Sequence, residues 1–456
     1  MALLEALHRF LWGLTADWTT LVGLFLTLGL QFLPLRQLPR TCLDYLRTLR
    51  HRGTGPGEIS SLAAHMTSLG GILGVGHLSG MAITLNVGGP GVVPWMWVVG
   101  LLGLATKHAE TFLAVRFRQP GPRGLLVGGP VEVIRAARGP RWEWLALLTA
   151  ALGCLGVFGA GNGVQARQLT SGLSELTGQP PLLLAMLAAA LIGWMLQGGL
   201  PRIGRLSALL VPLMVISWLA LTLVGLAGHA GAVGEAVQRM LNEAFTPRAL
   251  AGGGLALTLR TAVLMSVFTT ETGMGTTAIA HAAASPADPA LQGRLAGIGN
   301  LISLLVCTAT ALLLLVSGVL DGVGVPDGDG LNDSGATALL RLAWSRCAPG
   351  GDWLVCLALA LFAFTTLLSF GHYGERFATA LLGSKARHPF QLLWLLAIVI
   401  SATPVFPKIW GISQVLDALM VLPNLLLLLL LSNGFFHAVV GRSPLKVPAR
   451  AEGRHP

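Results

Sequence analysis

The chain has 456 residues, of which 53% are hydrophobic and only 11% charged, against about 25% charged residues in an average soluble domain. So few charges cannot coat a water-soluble globule of this length, which excludes a large soluble enzyme or binding module. The formal charge of +10 does not point to nucleic acid, because Lys and Arg lie in short stretches between apolar runs and not on one aromatic-interleaved surface.

Most of the apolar runs are roughly 17 residues or longer, enough to cross a hydrocarbon core of about 30 Å. In lipid the backbone must satisfy its own hydrogen bonds, and the runs lack barrel alternation, so an all-α polytopic membrane protein of about 11 transmembrane helices is expected. The first run, 18–35, follows Met1 to Arg9, which lacks the features of a cleavable signal, so this helix is expected to stay in the mature protein. A basic cluster from Arg36 to Arg52 comes next. The second span, 59–84, is interrupted near its middle by SLGGILGVGH at 68–77. Its glycine spacing does not fit a dinucleotide fingerprint, and no strand precedes it. The third span, 92–115, carries Lys107 and Glu110 three apart, a pair expected at the cytoplasmic mouth. After the basic stretch from Arg116 to Arg141 come spans at 143–166, 181–197 and 207–227, with Arg202 and Arg205 between the last two.

Residues 229–254 read as an outer connecting loop, and the seventh span, 255–283, is broken by FTTETGMGT at 268–276. The eighth span, 292–320, leads to a loop with Asp321, Asp327, Asp329 and Asp333, whose spacing is not that of a calcium-binding EF-hand and which reads as a solvated outer loop. The ninth span, 353–381, ends near Glu375 and Arg376, expected to pair with each other. Spans at 390–403 and 412–436 and a basic tail with Arg442, Lys446, Arg450 and Arg454 complete the chain. Lys and Arg concentrate in the loops of one side, which orients the protein with its N-terminus outside and its C-terminus cytoplasmic, in an inner membrane. Cys42, Cys154, Cys307, Cys347 and Cys356 are scattered, with no metal-ligand spacing, so neither zinc nor a disulfide framework is expected.

The two interrupted spans carry the chemistry. Unwinding in lipid is tolerated where the break faces a protein-lined, wet cavity, and an opened helix offers N–H groups to a carboxylate and carbonyls to a bare cation. Close helix packing is the bland alternative for the glycines, but Glu271 at mid-membrane depth costs about 2.5–3.5 kcal/mol on insertion scales and therefore points to a bundle interior with a partner. The breaks fall in spans two and seven, the matching first helices of two five-helix inverted repeats, with span one as an extra. Five segments follow: the extra helix and basic loop (1–57), the first repeat (58–228), the outer connector (229–254), the second repeat (255–436) and the tail (437–456). Neither GxSxG nor HExxH occurs, so no enzyme is expected.

The run 85–97 (LNVGGPGVVPWMW) followed by GLATKHAE at 103–110 resembles the alanine/glycine:cation symporter family, also called the sodium:alanine symporter family. Further blocks resemble it in order: VGGP at 127–130, GGLPRIG at 198–204, TETGMG at 270–275 with AHAA at 280–283, FAFTT at 362–366, YGER at 373–376 and PNL at 423–425. The resemblance covers nearly the whole chain. It implies a LeuT-like 5+5 inverted-repeat core, sodium-driven symport of alanine or glycine, and alternating access around a midplane site. The implied substrate site comprises Gly71, Gly74, Val75, Gly76 and His77 of the first break, Gln165, Thr270, Glu271, Thr272, Gly273 and Gly275, with Phe370. The implied sodium site comprises Gly71, Gly74, Thr365 and Thr366. The partners are a small neutral amino acid, a sodium ion and the lipid bilayer, with no cofactor, no nucleic acid and a monomeric state. The chain departs from the family pattern at Val75, where Thr or Ser is usual, at His77 and Thr270, where Asn is usual, and at Arg167 and Phe370, where Asn and Trp are usual. Pocket hydrogen bonding and shape are therefore expected to differ, and the His77 imidazole makes the proton the alternative coupling ion. A relative that binds an amino acid without moving it is the rival reading.

Overall fold

The computed structural model describes residues 2–50, 58–121, 126–245, 254–285, 288–321, 333–348 and 350–441. Among these residues it is almost wholly helical. Seven helical stretches are long and apolar enough to cross a membrane: α1 (Ala2–Gly29), α6 (Val92–Arg116), the stretch formed by α8 (Glu143–Phe158) and α9 (Val164–Thr177), α11 (Gly199–Ala227), α15 (Pro289–Val316), α17 (Asp352–Leu382) and α19 (Phe406–Val439). The other four expected spans are of two kinds. Two are short apolar helices, α10 (Pro181–Gln197) and α18 (Arg387–Ser401), and two are broken, as α4 (Ser61–Ile72) with α5 (Ser79–Gly88) and as α13 (Gly254–Thr270) with α14 (Thr276–Ala282).

The connections hold more structure than the polar composition suggested. They carry α2 (Leu33–Arg36), α3 (Leu38–Arg50), α7 (Pro130–Arg138) and α16 (Asp333–Cys347), and the expected outer loop is largely α12 (Ala230–Phe245), which buries Ala236, Met240 and Ala244. Apolar residues at helical spacing on these polar stretches make them amphipathic, so they lie on the bundle instead of crossing it. Asp321 pairs with Arg239 at 3.2 Å and Asp333 opens α16, whereas Asp327, Asp329 and residues 442–456 of the tail lie outside the described residues.

Around the breaks, α15 packs along α6, α17 along α8 and α9, α19 along α8 and α1, and α11 along α4. Outward faces are apolar: Leu209, Leu213, Ile216 and Leu223 on α11 are 66, 57, 66 and 67% exposed, a stripe suited to acyl chains. Between α8 and α9 a π-helical turn, Gly159–Gly163, seats two rings. A β-carbon on Gly161 would stand 2.2 Å from Phe370, and one on Gly163 2.2 Å from Phe406, so glycine there admits the rings.

The start of the first broken span meets the end of the second. Ile59 and Ser60 (β1) pair in parallel with Ala284 and Ser285 (β4), and a short hairpin joins β2 (Gln119–Pro120) to β3 (Leu126–Val127). One span therefore enters where the other leaves, as two repeats of opposite direction require.

Candidate substrate and ion site

In the first break three amides leave the helical ladder. The N–H of Gly74, which an unbroken helix would direct to Gly70, donates to the Ile72 carbonyl at 3.0 Å. That of Val75 donates to Oε1 of Gln165 at 3.1 Å and that of His77 to the Gly74 carbonyl at 3.2 Å. The carbonyls of Gly70, Gly71 and Leu73 thus lose their usual partners, and all three turn to the hydroxyl of Thr366 on α17, at 3.0, 3.4 and 3.3 Å. The Phe362 carbonyl stands 3.0 Å from the same oxygen. A hydroxyl has one proton and can satisfy only one of these four acceptors. The remainder form an oxygen cage suited to a small bare cation.

Glycine is required on this segment by close approach. A β-carbon at Gly74 would lie 2.7 Å from Nε2 of Gln165, and one at Gly76 2.7 Å from the Phe268 ring.

The second break is strained and buttressed. Glu271 has φ 49°, a left-handed value rare for a residue with a side chain, and Gly273 and Gly275 have φ 92° and 72°. Such strain costs about 1–3 kcal/mol and persists only where neighbours over-determine it. Here Nζ of Lys107 donates to the Glu271 carbonyl and to the Thr277 hydroxyl, both at 2.8 Å. Asn424 on α19 donates to the Gly273 carbonyl and to Oε1 of Glu110, again at 2.8 Å each. The Glu271 carboxylate accepts from Thr276, the first residue of α14, at 2.8 Å. Lys107 and Glu110 do pair, at 3.9 Å, but with side chains 0 and 1% exposed, so the pair sits inside the bundle beside the break and not at a cytoplasmic mouth.

Eight of the expected residues, Gly71, Gly74, Gly76, His77, Gln165, Glu271, Thr366 and Phe370, line one cavity together with Ile72 and Phe268. Val75 reaches it through the hydrogen bond that its backbone N–H donates to Gln165. The others face elsewhere: Thr270 and Thr272 line a separate cavity against Thr19 and Thr20 of α1, Gly275 lines a third with Glu110 and Asn424, and Gly273 packs on Thr19 and Val421. The Thr365 hydroxyl bonds back to Leu361 and Phe362 and meets Met214, and the Gly74 carbonyl faces Nδ1 of His77 at 3.3 Å. Gly70 and Leu73 take part in the oxygen cage in their stead. Nε2 of His77 lies 2.8 Å from Ser303 of α15, whose hydroxyl donates to the Thr269 carbonyl at 2.8 Å. The imidazole therefore ties the first break to the last turn of α13.

The β1–β4 end of the cavity is closed. Glu58 pairs with Arg376 at 3.3 Å, Arg118 reaches the carbonyls of Ala282 and Ala284 at 3.3 and 3.2 Å, and Ser61 donates to the Ser285 carbonyl at 3.1 Å. Neighbours on one helix point about 100° apart, so Glu375 and Arg376 do not pair with each other. Glu375 pairs with Arg387 at 3.1 Å instead. Burial pushes the Glu58 carboxyl above the ordinary range, and Arg376 offsets this only in part.

Residues 1–441 match the model of the sodium:alanine symporter family. The chain belongs to this family. Among family relatives, an uncharacterized transporter of Haemophilus influenzae is 34% identical over 438 residues, covering 94% of this chain and 93% of its own. The sodium/alanine symporter AgcS of Methanococcus maripaludis is 31% identical over 437 residues, covering 95% of each. In fold, the chain resembles MhsT, solved in complex with L-phenylalanine, with a TM-score of 0.63 at 16% identity over 87% of this chain and 94% of that one. The architecture of this sodium:alanine symporter family member is therefore LeuT-like, and the chain is a multi-pass membrane protein of a transporter family.

For this family member, sequence reading missed the parts that hold the breaks open. Lys107 was visible as a cation on the third span, read as one of a mouth pair, but its reach to the Glu271 carbonyl depends on how α6 lies against α13. Asn424 and Ser303 carried no spacing signal, and Gly70 and Leu73 act through carbonyls that every residue has.

Proposed function

We propose that the protein is a sodium-coupled symporter of small neutral amino acids, of the alanine and glycine type, working by alternating access. The observation that carries this reading is the freed carbonyl set of Gly70, Gly71 and Leu73 around Thr366, of which Gly71 and Thr366 line the same cavity as Gln165, Glu271, Phe268 and Phe370. A cation held there would fix the backbone that forms the substrate wall, so each ligand would favour the closed form that suits the other, which is the thermodynamic content of coupling. The rings of Phe268 and Phe370 line the cavity. No cofactor takes part, and the transporter acts as a monomer.

Residues 58–228 and 255–436 form the two repeats, the helix and basic loop of 1–57 precede them, α12 lies in the outer connector 229–254, and 437–456 is the cytoplasmic tail. The basic segments from Arg36 to Arg52 and from Arg116 to Arg141 favour a cytoplasmic β1–β4 end in an inner membrane, with the N-terminus outside. The closure by Glu58 and Arg376 is then the inner gate.

The test is uptake of a panel of labelled amino acids into proteoliposomes under imposed gradients. Unmodified alanine or glycine should accumulate only with an inward sodium gradient. Accumulation driven by a proton gradient without sodium would move the coupling to another ion, and binding without accumulation under any gradient would leave a receptor in place of a transporter.

A further inference from the structure

One helical turn inside the β1–β4 pair, two histidines face each other across the broken spans. His65 lies four residues beyond Ser61 on α4, and His281 four residues before Ser285 on α14. Their ring centres are 5.8 Å apart at an interplanar angle of 52°, and the residues are 1 and 0% exposed. Gln292 sets the state of one ring. Its Nε2 donates to the Ser61 hydroxyl at 2.7 Å, which leaves its Oε1, 2.8 Å from Nδ1 of His281, to accept. Nδ1 of His281 therefore carries the proton, and Nε2 keeps a lone pair with no hydrogen-bond partner. On His65 neither ring nitrogen has a partner. Nothing in the proposed transport cycle uses these atoms.

We infer that His65 and His281 form a site for a borderline divalent transition-metal ion, with zinc as the reference ion, that clasps the two broken spans at the closed inner gate. Two imidazoles on one zinc, at Zn–N of about 2.0–2.1 Å, place their ring centres roughly 5–6 Å apart, which the observed spacing meets. Neutral imidazole suits zinc, nickel and copper, while magnesium and calcium prefer oxygen. Gln292 supplies the outer-shell acceptor that a metal-binding histidine commonly has on its second nitrogen. No set of three His, Cys, Asp or Glu side chains converges among the described residues. The site is thus a weak one, completed by water and loaded from micromolar metal while the gate is open. A bound ion joins α4 to α14 and holds the gate shut, so it slows turnover without competing for the substrate cavity.

The experiment uses the full chain, purified and reconstituted, with zinc chloride as the inhibitor of labelled alanine uptake and cobalt(II) as a spectroscopic probe in detergent. Zinc should lower the maximal rate without raising half-saturating alanine or sodium. His65→Gln and His281→Gln should each lose the zinc effect relative to their own uptake, and Gln292→Leu should weaken zinc by about 10–100-fold. The cobalt spectrum should show nitrogen ligation in the parent and not in the histidine variants, a readout that stands even if a variant, or the chain itself, does not transport. Equal zinc inhibition of the parent and both histidine variants, or a parent that binds neither metal, overturns the proposal.

Discussion

Replacing Thr366 by valine, beside the same change at Thr365, separates an ion ligand from a helix hydroxyl. The two side chains are adjacent, equally buried and isosteric with valine, but their oxygens meet different atoms. The Thr366 oxygen stands 3.0–3.4 Å from the freed carbonyls of Gly70, Gly71 and Leu73, whereas that of Thr365 contacts only carbonyls of its own helix turn and the Met214 sulfur. Removing one polar partner from a buried set that stays polar costs about 1–3 kcal/mol, and each 1.4 kcal/mol is tenfold, so half-saturating sodium should rise by about 5–150-fold in Thr366→Val. Losing a back-bonded hydroxyl is nearly neutral for a helix, so Thr365→Val should shift it by about twofold or less. The assay is the sodium dependence of initial alanine uptake into proteoliposomes, with alanine saturating. An equal shift in both variants, or none in Thr366→Val, would refute the assignment of the cage to the cation.

Two further substitutions test the supports. Lys107→Met leaves the buried Glu110 carboxylate without its cation and the Glu271 carbonyl without its donor, a loss of about 3–5 kcal/mol; thermal unfolding in detergent should show most of it restored in Lys107→Met with Glu110→Gln, and a double variant as unstable as the single one would disprove the ion-pair account. At the Glu58–Arg376 closure, burial holds the Glu58 carboxyl above the ordinary range, so the closed form binds that proton more tightly than a form in which Glu58 meets water. Its contribution to closure is fully present below the ordinary carboxylate value and is lost as pH rises through the raised one. Glu58→Gln, neutral at every pH, should therefore keep the gate closed and flatten its response to mild acid, while Arg376→Gln strands a carboxylate and opens it near neutrality. Alkylation of a cysteine replacing Ala63 reads both, and equal opening by the two variants would contradict the sign.

Composition and run length made the helical bundle legible, because lipid leaves the backbone few alternatives. The breaks were legible too, since glycines at 70, 71, 74 and 76 and at 273 and 275 interrupt otherwise apolar runs. What the sequence could not express is direction. Thr365 and Thr366 read alike, and only the rotation of α17 decides which hydroxyl meets the break. Lys107 and Glu110 read as a mouth pair because their spacing is local, while depth in the bundle is set by the packing of α6 on α15. The connector at 229–254 read as a loop for want of an apolar run, yet an amphipathic helix needs only one buried face.

The two breaks occupy matching places in the repeats but are stabilised in opposite ways, and this difference limits where a cation can sit. At the first, amide donors are diverted, to Ile72, Gln165 and Gly74, so carbonyls are left over. At the second, donors are brought in from outside: Lys107 takes the Glu271 carbonyl, Asn424 that of Gly273, and Ser303 that of Thr269. A lysine ammonium already supplies positive charge there, and a second cation would have to displace hydrogen bonds that hold a strained φ in place. Among the described residues, the carbonyls left over by diverted amides and gathered on one hydroxyl are those of the first break. Glu271, whose carbonyl is occupied but whose side chain lines the shared cavity, sits where a bound solute would meet the carboxylate and not the main chain.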